Sequence, residues 1–258
     1  MKNLKRRAFE LLTPHKCFIE GHRGVNKIEP ENTLKSFIQS YNKNLDGIEL
    51  DVWLSKDRIP VVIHGTEEGG IEETINGNGK IKEMTLKELK SIKTKTGDSN
   101  IPTLEEVFKF CKDKLFINIE LKDPEVKETL KEVMKLVEMY DMSNQIAFSS
   151  FNHKYAEELK HYPTPFEFGY LYDDKTEKTF IPYNFNVSNC SMNIYCNDVD
   201  ADFVKKAHDK GIAVMCWCSS KNEENEQFYN KLFSLGIDVL CCNEPDKAVE
   251  FRNKFYCL

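Results

Sequence analysis

The 258-residue sequence is first defined by what it lacks. No apolar run is long enough to cross a membrane, which argues against a helical span. The opening stretch MKNLKRRAFELLTPHK is basic, but it has neither an apolar segment of signal-peptide length nor a small-residue cleavage site. Positive charge is not in excess: 36 Lys and Arg face 42 Asp and Glu, a net charge of −6, which argues against a nucleic-acid binder. No cysteine framework is visible. The nine cysteines are scattered, and Cys216, Cys218, Cys241 and Cys242 fall in apolar, strand-like runs. Cys216-x-Cys218 has the wrong spacing for a zinc knuckle, so the thiols read as buried and reduced, in a cytoplasmic protein. No internal repeat appears, and no Gly-rich phosphate loop follows the first strand.

What is present is concentrated between Asp46 and His64. Ile48 to Trp53 alternates apolar and acidic residues, so an extended strand puts Glu49 and Asp51 on one face and Ile48, Leu50 and Val52 on the other. Two neighbouring carboxylates repel, and burying them unpaired costs several kcal/mol, so a cation is expected between them. The chain then turns through Ser55-Lys56-Asp57-Arg58 and returns as Ile59 to Ile63, ending at His64. A hairpin centred on Lys56-Asp57 places His64 opposite Glu49 and Val62 opposite Asp51.

The rest of the chain keeps a regular beat. Residues 2–12 read as a short amphipathic helix that caps the domain; a weak membrane-surface contact is the sharper alternative. Strands followed by helices begin near 17, 46, 115, 145, 166, 185, 212 and 237. Among these, 185–190 is read as a strand, 191–199 as irregular, and 174–180 as a short helix. The arm at 59–64 is left over, and the polar stretch 65–101 reads as an insertion or lid. Eight βα units imply an α/β fold, a single (β/α)8 TIM-type barrel domain over 1–258 with an added hairpin strand and an insertion after strand two. A doubly wound open sheet is the competing arrangement.

In such a barrel the site lies at the C-terminal strand ends. Strand one ends in His22-Arg23, strand two carries Glu49 and Asp51, its hairpin returns His64, and strand three ends in Glu120-Leu121-Lys122. Three carboxylates suit a hard divalent cation, Mg2+ or Ca2+. Arg23 and Lys122 suit phosphate oxygens, and His22 and His64 can act as acid and base near neutral pH. The set fits phosphodiester cleavage. His15, His153, His161 and His208 fall on loops or helices and read as structural or exposed.

Several stretches, in order over residues 17–246, carry a resemblance: Gly21-His22-Arg23-Gly24, Pro30-Glu31-Asn32-Thr33, Gly47 to Val52, Val61 to His64, Ile101 to Glu106, Asn118 to Lys122, Ser149-Ser150-Phe151, and Gly236-Ile237-Asp238 before Pro245. Together they resemble the glycerophosphodiester phosphodiesterase family of the phospholipase-C-like barrel superfamily. The resemblance implies His22 and His64 as the acid–base pair and Glu49, Asp51 and Glu120 as metal ligands. It also implies Arg23 and Lys122 as phosphate contacts and Trp217 as a wall of the glycerol pocket. The implied reaction hydrolyses glycerophosphodiesters, such as glycerophosphocholine or glycerophosphoethanolamine, to sn-glycerol 3-phosphate and an alcohol. Departures occur at Gly65, where the family has Asp, at Cys242-Asn243-Glu244, where it has Thr-Asp, and at Cys218, where it tends to have Thr. Glu67 or Glu68 is expected to fill the role of the missing acid. A lysophospholipase-D-like enzyme and a non-catalytic phosphodiester-binding barrel are the rival functions.

Overall fold

The computed structural model describes residues 17–164, 166–172 and 190–257. Its centre is a closed ring of eight parallel strands: β1 (Phe18–Gly21), β2 (Gly47–Leu54), β4 (Phe116–Leu121), β5 (Ile146–Ser150), β6 (Phe168–Tyr172), β7 (Cys190–Tyr195), β8 (Ala213–Trp217) and β9 (Val239–Cys242). Parallel pairing of β1 with both β9 and β2 closes it, through Gly21↔Cys242 and Gly21↔Ile48. The short β3 (Pro60–Val62) stands outside the ring and pairs antiparallel with β2. The fold is therefore the TIM-type barrel with one extra strand.

Period-two patterning sorts each strand into two faces. Ile19, Ile48, Leu50, Ile117, Ile119 and Phe148 are buried against the surrounding helices. The opposite faces fill the barrel. Its lower layers hold Phe18 edge-on to Phe116, with Met215 and Val239, and its upper layers become polar. The helices are α1 (Leu34–Asn42), α2 (Leu86–Lys90), α3 (Leu104–Cys111), α4 (Val126–Met139), α5 (Lys154–Leu159), α6 (Ala201–His208), α7 (Glu226–Ser234) and α8 (Pro245–Phe255). Two of them start on capping boxes, Thr85 with Glu88 and Thr103 with Glu106, each satisfying otherwise orphaned first-turn amides. None is long and apolar enough to cross a membrane.

Three sequence expectations change. The sixth strand of the ring, β7, is Cys190–Tyr195, and all of it beyond Cys190 falls in the stretch read as irregular. Its inward Ser191 and Asn193 are polar because they face the polar barrel interior, which hides the strand from an apolar pattern; Ser191 donates to Asn193. The hairpin register is shifted by one residue: Val52 opposes Val62, and Leu54 opposes Pro60. Arg58, at φ 62, adds a residue to the loop closed between Ser55 and Ile59, so His64 lies beyond the ladder rather than opposite Glu49. The insertion is not merely polar. It closes a second small core, in which Ile71, Ile75, Ile81, Leu89 and Ile101 pack on Trp53, Val61 and Ile63 of the hairpin. The expected helices at 2–12 and 174–180 lie outside the described residues.

Candidate active site

The β1–α1 loop wraps the carboxylates of β2. It starts with two left-handed residues, Arg23 at φ 55 and Gly24 at φ 86. A Cβ at Gly24 would lie 2.2 Å from Ser36 Oγ, so only glycine lets the loop press onto α1. Held this way, the Arg23 amide donates to Glu49 Oε2 at 3.0 Å. Asn32 Nδ2 donates to Asp51 Oδ2 at 2.8 Å, and the Asp51 amide returns a bond to Asn32 Oδ1 at 3.3 Å. Arg23 Nε lies 3.3 Å from the same Asp51 oxygen, while its Nη1 bonds Glu31 at 2.8 Å.

One oxygen of each β2 carboxylate is thereby hydrogen-bonded and the other is not. Glu49 Oε1 and Asp51 Oδ1 are buried and accept no hydrogen bond among the described residues. With Glu120 from β4, they offer ligand atoms within 4.8 Å of one another. At an effective dielectric near 20, like charges at that distance repel by about 3 kcal/mol per pair. Lys122, 3.4 Å from Asp51 Oδ1 and 3.0 Å from Glu120 Oε1, offsets part of this. Burial, reinforced by the Asp51 and Glu120 charges, pushes the Glu49 carboxyl up. Burial pushes Asp51 the same way, but the Lys122 and Arg23 cations outweigh it and hold Asp51 well below the usual carboxylate range. Unsatisfied buried oxygens in a cluster of carboxylates fit a hard cation, so this group could hold a divalent metal.

Both histidines are held through Nδ1. His22 Nδ1 lies 3.0 Å from Asn243 Oδ1. The Asn243 amide nitrogen donates to Ser219 O and to Glu224 Oε1, so its oxygen must face the imidazole and the proton must be on His22 Nδ1. Burial and then the Arg23 cation lower the His22 pKa to about 3, so the ring is neutral. His64 Nδ1 pairs instead with a carboxylate, Glu73 Oε2, at 3.0 Å. Neither Glu67 nor Glu68 takes that place, and Glu68 bonds Lys80.

His22, Arg23, Glu49, His64, Glu120 and Lys122 open onto one cavity of about 340 Å3, with Asp51 buried behind them. Trp217 forms part of its opposite wall, edge-on to Phe151 at 6.2 Å and tilted against Tyr195 at 4.9 Å. The eight residues singled out in the sequence thus converge in space. Asn32, Glu224 and Glu73 were missed as site residues, and Asn243, although noted at the end of the last strand, was given no role. The Pro-Glu-Asn-Thr stretch was a usable signal for Asn32; the other three touch the site only through the fold. Of the remaining histidines, His153 packs edge-on to Tyr170 and Tyr172, His161 is exposed, His208 pairs with Asp238, and His15 lies outside the described residues.

A barrel with acidic, cationic and imidazole groups at one rim has the makeup of a phosphodiester hydrolase. A sequence profile of the glycerophosphoryl diester phosphodiesterase family matches residues 22–247, and the chain belongs to this family of phosphoric diester hydrolases. It is 29% identical over 253 residues to a glycerophosphodiester phosphodiesterase of Caldanaerobacter subterraneus, covering 93% of this chain and 99% of that one. A solved structure from Galdieria sulphuraria aligns with a TM-score of 0.81 at 30% identity, covering 92% of this chain and 98% of that one. A phosphodiesterase from Oleispira antarctica, solved with the product sn-glycerol 3-phosphate, aligns with a TM-score of 0.78 at 25% identity, covering 92% and 96%.

Proposed function

We propose that the protein hydrolyses small glycerophosphodiesters, such as glycerophosphocholine or glycerophosphoethanolamine, to sn-glycerol 3-phosphate and an alcohol. The observation that carries this reading is the pair of unsatisfied carboxylate oxygens, on Glu49 and Asp51, set beside Glu120 in a cavity that two histidines also line. Glu49, Asp51 and Glu120 would hold Mg2+ or Ca2+. When bound, the cation supplies charge compensation and polarises a phosphoryl oxygen. Arg23 and Lys122 bind the remaining phosphate oxygens from the same rim.

His22 acts as the base. Its Nδ1 proton is committed to Asn243, so the Nε2 lone pair takes a proton from the attacking hydroxyl, either water or the neighbouring glycerol hydroxyl, whose attack leaves a cyclic phosphate that water then opens to the monoester. His64 supplies the proton to the leaving alcohol. Trp217 and Phe151 form the apolar wall against which the glycerol carbons pack.

The product bound by the Oleispira relative supports the glycerol 3-phosphate half of this reading. A lysophospholipid substrate would need apolar surface beside the mouth. Among the described residues, the insertion at 65–101 contributes none of the exposed large hydrophobic side chains, which favours a small head group. The nine free cysteines, eight of them buried, support placing the enzyme in the reducing cytoplasm.

The test is release of glycerol 3-phosphate from glycerophosphocholine with Mg2+, Ca2+ or EDTA, by wild type and His22→Ala. Metal-dependent release that the variant loses is the expected result. Equal release by both, or none with either metal, would overturn the reading.

A further inference from the structure

The family places an acid directly after the second histidine, and here that position is Gly65. The backbone explains why an acid at 65 would not serve. Gly65 is left-handed, at φ 68, and a Cβ there would lie 3.0 Å from Ile81 Cδ1 and 3.3 Å from Trp53 Nε1. A side chain at 65 therefore meets the small core of the insertion. The carboxylate that reaches His64 comes from nine residues further on, as Glu73 Oε2, at 3.0 Å from Nδ1.

We propose that Glu73 is the positioning residue for His64, and that the insertion exists in part to deliver it. This rests on the reading above, in which His64 exchanges a proton with the diester. Both ends of the pair are tied to one rigid body. On one side, the His64 carbonyl accepts a bond from Trp53 Nε1 at 2.8 Å. On the other, Glu73 is bracketed by Ile71 and Ile75, which are buried in the same core as Trp53. Backbone bonds pin the bracket: Ile71 N to Gly79 O at 3.0 Å, Ile75 N to Ile71 O at 3.1 Å, and Lys95 N to Thr74 O at 2.8 Å.

The chemistry follows from the donor inventory. A carboxylate only accepts, so it fixes a proton on His64 Nδ1 and aims Nε2 into the cavity. A ring without that partner can rotate or carry its proton on the other nitrogen. Glu73 does not line the cavity, so its effect falls on turnover rather than binding. Its side chain is about half exposed, so its removal leaves the barrel core intact.

The test compares Glu73→Ala, Glu73→Gln, Glu73→Asp and a Glu68→Gln control, the last being an exposed acid paired with Lys80. Two quantities are read: kcat and KM for glycerophosphocholine at saturating divalent metal, and the 15N signals of the His64 ring by long-range NMR correlation. Glu73→Ala is expected to lower kcat by about 10- to 100-fold, the usual range for loss of an orienting partner, with KM nearly unchanged. Glu73→Gln keeps an acceptor and is expected to fall between, Glu73→Asp to recover part of the loss, and Glu68→Gln to match wild type. The ring should carry its proton on Nδ1 in wild type and redistribute it in Glu73→Ala. Wild-type kcat together with an unchanged ring pattern in Glu73→Ala would overturn the proposal. An inactive wild type would instead overturn the phosphodiesterase reading, and the ring signals would still decide the role of Glu73.

Discussion

The two walls of the cavity are built on different physics. The wall from β1, β2 and β4 carries His22, Arg23, Glu49, Glu120 and Lys122, with Asp51 behind, and almost every polar atom there is bonded or charged. The wall from β5, β6, β8 and β9 carries Phe151, Leu171, Met215, Trp217 and Cys241, with Ser149, Ser219, Ser220 and Asn243 as its polar members. The charged wall is electrostatically strained, with buried like charges only partly offset by Arg23 and Lys122. The apolar wall is rigid: Trp217 is held between Phe151 and Tyr195, and its Nε1 donates to Tyr172 O at 3.1 Å. A diester has the same division, a charged phosphorus centre and a carbon skeleton. Rate should therefore belong to one wall and binding to the other.

The sharpest way to break that division is at His22. Replacing it with alanine removes the proposed base and leaves the apolar wall untouched. Activity is expected to fall by about 10^2- to 10^4-fold, almost wholly in kcat. Steady-state kinetics on glycerophosphocholine would show it, and a loss confined to KM would mean the charged wall binds rather than reacts. Glu49→Gln probes the strain. The amide relieves repulsion among three carboxylates lying within 4.8 Å of one another, so the metal-free protein should gain stability, on the order of 1 kcal/mol. Divalent-metal affinity should fall together with activity. Calorimetric titration and thermal melts in EDTA check the two halves, and a metal-free variant less stable than wild type would show the cluster is not strained.

The division was partly legible in advance, and unevenly so. Alternation in Ile48 to Val52 was enough to put Glu49 and Asp51 on one face, because strand geometry alone decides it. The ring of eight was legible because each strand's outer face is apolar against helices. β7 was missed where it turns Ser191 and Asn193 inward, since a polar interior erases the contrast that marks a strand. The one-residue error in the hairpin came from Arg58, whose left-handed backbone lengthens the loop without any glycine to signal it. Asn243 and Glu224 escaped because their role arises only when β9 closes beside β1, more than 200 residues from His22. Local patterns carry strands and faces; partners that meet on ring closure leave no local trace.

The apolar wall gives a smaller prediction. Trp217→Ala removes ring area from the cavity without touching a charged group. KM for glycerophosphocholine is expected to rise by about tenfold, the value of a partly lost apolar contact, with kcat changed much less. A kcat loss as large as that of His22→Ala would mean Trp217 holds the reacting geometry, and the two walls would not be separable.

The smallest effect is expected far from both walls, at Asp238. It belongs to the Gly236-Ile237-Asp238 stretch that helped identify the family, yet it lies at the opposite end of the strands from the cavity, just before β9. Its carboxylate accepts from Val214 N at 2.7 Å and lies 2.9 Å from His208 Nε2. The hydrogen bond to Asp238 raises the His208 pKa, against the opposing effect of burial. A raised histidine contributes stability that is full below its unfolded pKa, near 6.5, and is lost as pH rises through the higher folded value. His208→Gln should therefore lower stability by a fraction of about 1 kcal/mol at pH 6, since the pair is partly solvated, and by less at pH 8. Denaturant melts at the two pH values measure this, alongside kcat and KM, which should match wild type. Altered turnover in His208→Gln would show that the base of the barrel communicates with its catalytic rim. A purely structural role predicts that only the melts change.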